Sequence, residues 1–226
     1  MKGAAYLSVL FATLIGCESS SVQNSLNGHE YVPLKSGQYV DMEVITSVYA
    51  SNQVAYTTHG MIRIETGASL VNTSGQTCYA VQYSSAGKDN AWQIDSTQIA
   101  WDTPDKIFYT EGGQVINLMV LPLSEYSTWN GHAFNVLGPQ YFMVKNFGKA
   151  FTSNNQLFPN TITIVRQNDS TLIRQHKRVE VYAEGIGLIY KEQMKVNFCT
   201  SSDCYGKGQI QSGKSEISII KKYSNR

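Results

Sequence analysis

YVDMEVITSVY, residues 39–49, is the stretch that decides how this chain folds. Val40, Met42, Val44 and Val48 fall on one face of an extended chain, and Asp41, Glu43 and Ser47 fall on the other. A strand sends successive side chains to opposite faces, so this period of two predicts a strand with one side against a core and the other in water. Runs of the same character follow at residues 54–65, 77–83, 92–101, 106–110, 114–121, 141–145, 161–167, 171–183, 188–198 and 215–222. Turn signals separate them at Ser74-Gly75, Ala86-Gly87, Gly112-Gly113, Asn130-Gly131 and Asn168-Asp169-Ser170. The last lies between Ile162/Ile164 and Ile173/Val179/Val181 and reads as a hairpin connection. Gly185 and Gly187 sit where alternation breaks, which predicts a strand, a bend and a second strand across residues 182–192. A short helix is expected near residues 125–129, and no other stretch has helical periodicity with caps. The expected fold is all-β and mainly antiparallel: a curved sheet, half-barrel or sandwich with few or no helices. The 14 tyrosines fit strands, where a flat ring covers a pleated face while its hydroxyl reaches water.

The N-terminal stretch MKGAAYLSVLFATLIGC, residues 1–17, resembles the export signal of a bacterial lipoprotein. Lys2 is a short cationic region, and the apolar run from Ala4 to Ile15 is too short for a permanent transmembrane helix. Leu14-Ile15-Gly16-Cys17 matches a lipobox. The resemblance implies a diacylglycerol thioether on Cys17, cleavage after Gly16, and acylation of the new amino group, palmitate being the expected chain. Residues 1–16 are thus read as signal peptide, 17–30 as a Ser/Asn-rich flexible tether, and 31–226 as one β domain. His29 falls in the tether. The membrane partner is reached through the lipid on Cys17. Glu18 stands where an Asp is linked to inner-membrane retention, so the outer membrane is expected, on its periplasmic face or its surface.

Charge narrows the partners. The chain has 18 Lys+Arg against 17 Asp+Glu, and loss of Lys2 with the signal leaves the two balanced. Nucleic acid demands a basic excess and is not expected. Export permits disulfides. Cys199 and Cys204 lie in FCTSSDCYGKG, a Ser/Asp/Gly loop between strand-like runs, and read as a local disulfide worth about 2 kcal/mol by loop entropy. A metal site is the competing reading, but no second ligand pair lies nearby. Cys78 has no evident partner and is expected as a buried free thiol.

Catalytic patterns are few. His59, expected at a bend beside Gly60, His132 and His176 are in no ligand spacing, and no nucleophile elbow, phosphate loop or dinucleotide fingerprint occurs. No cofactor or metal is expected. Trp92, Asp95 and Trp101 are candidate ligand-binding residues, because sugar sites pair carboxylates with indole faces; core tryptophans beside turn-marking aspartates explain them as well. The run from Arg174 to Arg178 reads as a solvated strand face.

Two segments carry a family resemblance. Tyr31-Val32-Pro33-Leu34-Lys35-Ser36-Gly37-Gln38-Tyr39 resembles the Y-x-P-L-x-x-G-x-Y-W start of uncharacterised Bacteroidota-type β-rich lipoproteins. Tyr182-Ala183-Glu184-Gly185-Ile186-Gly187-Leu188-Ile189-Tyr190-Lys191-Glu192 resembles their recurring Y-A-x-G-I-G-L-x-x-K-E segment. Val40 departs from the usual Trp. The resemblance implies an exported, mainly antiparallel β domain and no particular activity. The leading functional expectation is a non-enzymatic, lipid-anchored envelope module that is structural or binds a partner. The alternatives are a carrier or sensor holding an apolar ligand or glycan on a concave sheet face, and a hydrolase using two carboxylates across one cleft.

Overall fold

A single sheet curls until its two edges meet. The computed structural model describes residues 28–87, 89 and 91–224, so Cys17, the signal peptide and most of the tether lie outside the described residues. The strands are β1 (Tyr39–Ala50), β2 (Gln53–Val71), β3 (Thr77–Ala86), β4 (Trp92–Thr103), β5 (Lys106–Glu111), β6 (Gln114–Val120), β7 (Thr128–Asn130), β8 (Tyr141–Ser153), β9 (Gln156–Ser170), β10 (Arg174–Ala183), β11 (Gly187–Phe198) and β12 (Ile210–Tyr223). Their order in the sheet is β6-β5-β4-β3-β2-β1-β12-β11-β10-β9-β8-β7, every neighbour antiparallel. This is the expected all-β fold, as one nearly closed barrel.

The edge strands β6 and β7 do not form a full ladder. Asn117 N–H donates to Gly131 O (2.9 Å), Trp129 Nε1 to Asn117 O (2.9 Å) and Asn135 Nδ2 to Val115 O (2.7 Å). Behind these bonds Ile116, Leu118, Trp129, Phe142, Ile162 and Ile164 form one buried cluster. Apolar burial and three polar contacts therefore close the seam.

Three hairpins use two-residue turns with both residues left-handed: Ser51-Asn52 (φ 50° and 65°), Gly112-Gly113 (56° and 75°) and Asn154-Asn155 (49° and 60°). That conformation matches the right-handed twist of paired strands. Only the glycine pair stood out in the sequence; asparagine reaches the same region through local hydrogen bonding.

Several expectations need correction. Residues 125–129 are not helical: Ser127 N–H bonds to Ser124 O (3.1 Å) in a turn, and β7 follows. The hairpin placed at Asn168-Asp169-Ser170 turns instead at Thr171–Ile173, because Ser170 already pairs with Gln175 and Asp169 with His176. His59 and Gly60 lie mid-strand in β2, opposite Ile45 and Val44, not at a bend. Packing begins before residue 31. A 3-10 turn at His29–Tyr31 buries Tyr31 completely, and His29 Nδ1 lies 3.1 Å from Asp102 Oδ2. The strand, bend and strand across 182–192 are as expected, with Gly185 at φ 72° and Gly187 at φ 101°.

Candidate functional site

The barrel's interior holds a cavity of about 350 Å³, within the range of small-molecule sites. Its walls are largely apolar: Val40 and Met42 from β1, Ile62 and Ile64 from β2, Val81 from β3 and Leu118 from β6. Val40 and Met42 belong to the apolar face that period two marked in β1.

Over this wall lie the two family-like segments. Val32, Pro33 and Leu34 line the cavity beside Ile186, Gly187 and Leu188. They are bound together across the sequence: Gln38 Nε2 donates to Gly185 O (3.0 Å) and Ile186 O (3.2 Å), and Gly185 N–H donates to Glu30 O (2.8 Å). Sequence reading treated both segments as chain-shaping. The structure adds that they roof one cavity.

The cavity floor is ionic. Arg166 donates Nη1 to Glu180 Oε1 (3.1 Å) and Nη2 to Glu111 Oε2 (2.8 Å). Arg178 donates Nε to Glu180 Oε1 (3.0 Å) and Nη1 to Glu111 Oε1 (2.6 Å). Tyr182 OH donates to Glu180 Oε2 (2.8 Å). The side chains of Arg166 and Glu180 are only 5% and 3% exposed. Burial alone would raise Glu180, but Arg166, Arg178 and Lys191 outweigh it and hold its carboxyl far below the usual range. Burial also opposes ionisation of Glu111, and the same two arginines again lower it. Lys191 is pushed down by burial and partly restored by Glu180. Burial raises Tyr83 to about 12, and its hydroxyl lies 2.5 Å from that of Tyr109.

A bulge supplies Arg166. Val165 pairs with Val179 and Gln167 with Arg178, so Arg166 is the extra residue and its side chain joins the floor. Arg178 corrects the reading of residues 174–178 as a solvated face, since its guanidinium is engaged inside the barrel. Among the described residues four buried side-chain polar atoms lack a partner, and two of them, Gln98 Oε1 and Arg166 Nε, belong to cavity-lining residues.

The sequence candidates lie elsewhere. Trp92 stacks on the Arg63 guanidinium (4.8 Å), and Arg63 forms a bidentate pair with Asp41 at 2.7 and 3.0 Å. Asp41 is therefore buried rather than solvated. Asp95 accepts from Ser85 Oγ (3.0 Å) at an exposed position. Trp101, at the far end of β4 from Trp92, stacks on Phe108 (5.1 Å). None of the three lines the cavity. Cys199 and Cys204 form a disulfide with Cα atoms 5.7 Å apart, and Cys78 is a buried free thiol. Among the described residues no group of three or more His, Cys, Asp or Glu could hold a metal ion, and no helix is long and apolar enough to cross a membrane.

No protein-family model and no curated protein matches this sequence. Among solved structures the chain is similar to an inferred exported protein with a YmcC-like fold from Bacteroides fragilis, at 12% identity over 85% of this chain and 98% of that one, with a TM-score of 0.46. It is similar to an inferred lipoprotein from Parabacteroides distasonis, at 10% identity over 86% and 98%, with a TM-score of 0.41. An inferred outer-membrane lipoprotein-sorting protein domain from Vibrio parahaemolyticus aligns at 11% identity over 84% and 85%, with a TM-score of 0.23.

Proposed function

We propose that this chain is an envelope lipoprotein, anchored through Cys17 to the outer membrane, whose barrel binds one amphiphilic ligand. The observation that carries the binding role is the cavity: an apolar wall ending in an ionic floor. A purely structural barrel gains more by filling such a space with side chains. The anchor rests on the lipobox resemblance and on the balanced side-chain charge, which leaves attachment to the acyl chains. The two carboxylates do not suit the hydrolase alternative. A carboxylate pair for hydrolysis needs one member protonated, whereas Arg166 and Arg178 hold both Glu111 and Glu180 ionised.

The test is calorimetric titration of the intact protein in nanodiscs with decanol, corrected against empty nanodiscs. One saturable site per chain is expected. Val81→Phe, which fills the cavity, should abolish it while the unfolding midpoint stays near that of the wild type. Ala100→Leu, at another lining position, repeats the test should Val81→Phe destabilise the fold. Heats indistinguishable from empty nanodiscs, or undiminished binding in both filled variants, would overturn the reading.

A further inference from the structure

The ionic floor is shared with a second depression of about 640 Å³, because Arg178 and Glu216 line both. Strand register shows how the two are joined. Across β10, β11 and β12 the direct cross-strand partners form rungs: Glu180, Lys191 and Ser218; then Arg178, Gln193 and Glu216; then His176, Lys195 and Lys214. Opposed residues share a face, and steps of two along a strand keep to it. The inner face thus runs from the apolar cavity through a charge-balanced floor to a rung of three basic residues.

That third rung is unusual in composition. Like charges directly opposed on neighbouring strands destabilise a sheet, yet Lys195 faces His176 on one side and Lys214 on the other. Lys214 is relieved by Glu216 at 2.9 Å. On the β9 side His176 faces Asp169, whose carboxylate already accepts from Gln167 Nε2 at 2.8 Å. Among the described residues Lys195 has no carboxylate within 4 Å, the limit for an ion pair, and it is exposed to the depression it lines.

We propose that His176, Lys195 and Lys214 form the head-group subsite for a phosphorylated amphiphile whose chain occupies the cavity; the inference rests on the cavity's being a ligand site. The chemistry selects phosphate over carboxylate. The guanidinium forks of Arg166 and Arg178, which would suit a planar carboxylate, are engaged by Glu111 and Glu180. What the rung offers is the unpaired ammonium of Lys195, flanked by the His176 imidazole and by the Lys214 ammonium, which keeps further N–H donors beyond its bond to Glu216; these are point donors that match the several oxygens and the charge of a phosphate. The rung lies four residues beyond Lys191, about 13 Å along the strand, so a head lodged there leaves its chain directed past the floor into the apolar wall.

Decyl phosphate, decanol and inorganic phosphate are titrated separately into the intact protein in zwitterionic nanodiscs, with empty nanodiscs subtracted. Decyl phosphate should bind at least about tenfold more tightly than decanol or inorganic phosphate, with an advantage that shrinks as salt rises. The double variant Lys195→Gln, Lys214→Gln should lose that advantage and keep the wild-type affinity for decanol. Both lysines are exposed, so the fold tolerates the change. Equal affinity for decyl phosphate and decanol would overturn the head-group subsite and leave the cavity reading standing. Inorganic phosphate binding as tightly as decyl phosphate would identify a free-phosphate site and overturn the coupling of head to chain. Failure of both chains to bind would overturn the cavity reading and this inference together.

Discussion

The sheet carries two buried arginine–carboxylate systems, one on each face, and they are built to opposite plans. On the outer face Arg63 meets Asp41 on the adjacent strand through two parallel hydrogen bonds, with Tyr39 at 4.2 Å and Trp92 at 4.8 Å over its plane. Arg63 is on β2, and these partners come from β1 and β4. On the inner face Arg166 and Arg178 share Glu111 and Glu180, and Glu111 arrives from the far side of the barrel. β5 is next to one sheet edge and β9 is third from the other. The outer pair therefore fastens neighbouring strands, whereas the inner cluster holds the two margins of the sheet together. The inner cluster also lines the cavity, which Asp41 and Arg63 do not.

The largest expected effect is on the inner system. Glu180→Gln leaves two buried guanidinium groups short of countercharge, and loss of one partner from such a buried network costs about 3–5 kcal/mol. Denaturant unfolding of the protein measures it. The same carboxylate predicts an acid limb. Its folded-state pKa lies below the ordinary value of 4.5, so its contribution is complete well above that pH and is lost as pH falls through the acid range. Glu111 is shifted the same way. Wild-type stability should thus decline below about pH 5, and Glu180→Gln should decline less steeply. Equal acid slopes would show that the inner cluster does not govern closure.

Why the sequence disclosed one system's neighbourhood and not the other follows from range. Alternation in residues 39–49 marked Val40 and Met42 as facing inward, and both line the cavity. In β10 the same reasoning misleads. Val179 and Val181 mark one face as apolar, and Val181 is indeed buried, in a cluster with Phe158 and Ile189 that also takes in Val40 and Met42. Yet Arg178, Glu180 and Tyr182, on the opposite face, point into the barrel. They are tolerated there because Arg166 and Glu111 neutralise them from positions distant in sequence, which no local period can register. The bulge that supplies Arg166 is equally silent, as is β7, three residues long, paired to β8 and bonded across the seam by its Trp129. Asp41 was assigned to water for the same reason: its partner Arg63 lies on another strand.

A smaller loss is expected from the outer pair. Asp41→Asn keeps the shape and one acceptor, and Arg63, 22% exposed, retains access to water and to both rings. About 1–2 kcal/mol should be lost in denaturant unfolding, less than from Glu180→Gln. Decanol affinity should be unchanged, because Asp41 and Arg63 do not line the cavity. A loss as large as that of Glu180→Gln would erase the distinction between strand-fastening and barrel-closing pairs.

The finest division concerns Trp92, which the sequence offered as a ligand contact and the structure places on the outer arginine. Trp92→Leu removes one aromatic face from Arg63 and leaves Tyr39 and Asp41 in place. A partly exposed cation–π contact contributes about 0.5–1 kcal/mol, so the variant should unfold at slightly lower denaturant with an unchanged m-value. Amphiphile binding gives the sharper readout. If Trp92 only stacks on Arg63, the affinities for decanol and decyl phosphate both survive the substitution. A several-fold loss of either would place a ligand on the outer face, and the cavity would then be neither the sole site nor the principal one. Since Trp92 and the cavity lie on opposite sides of the sheet, the two results cannot be confused.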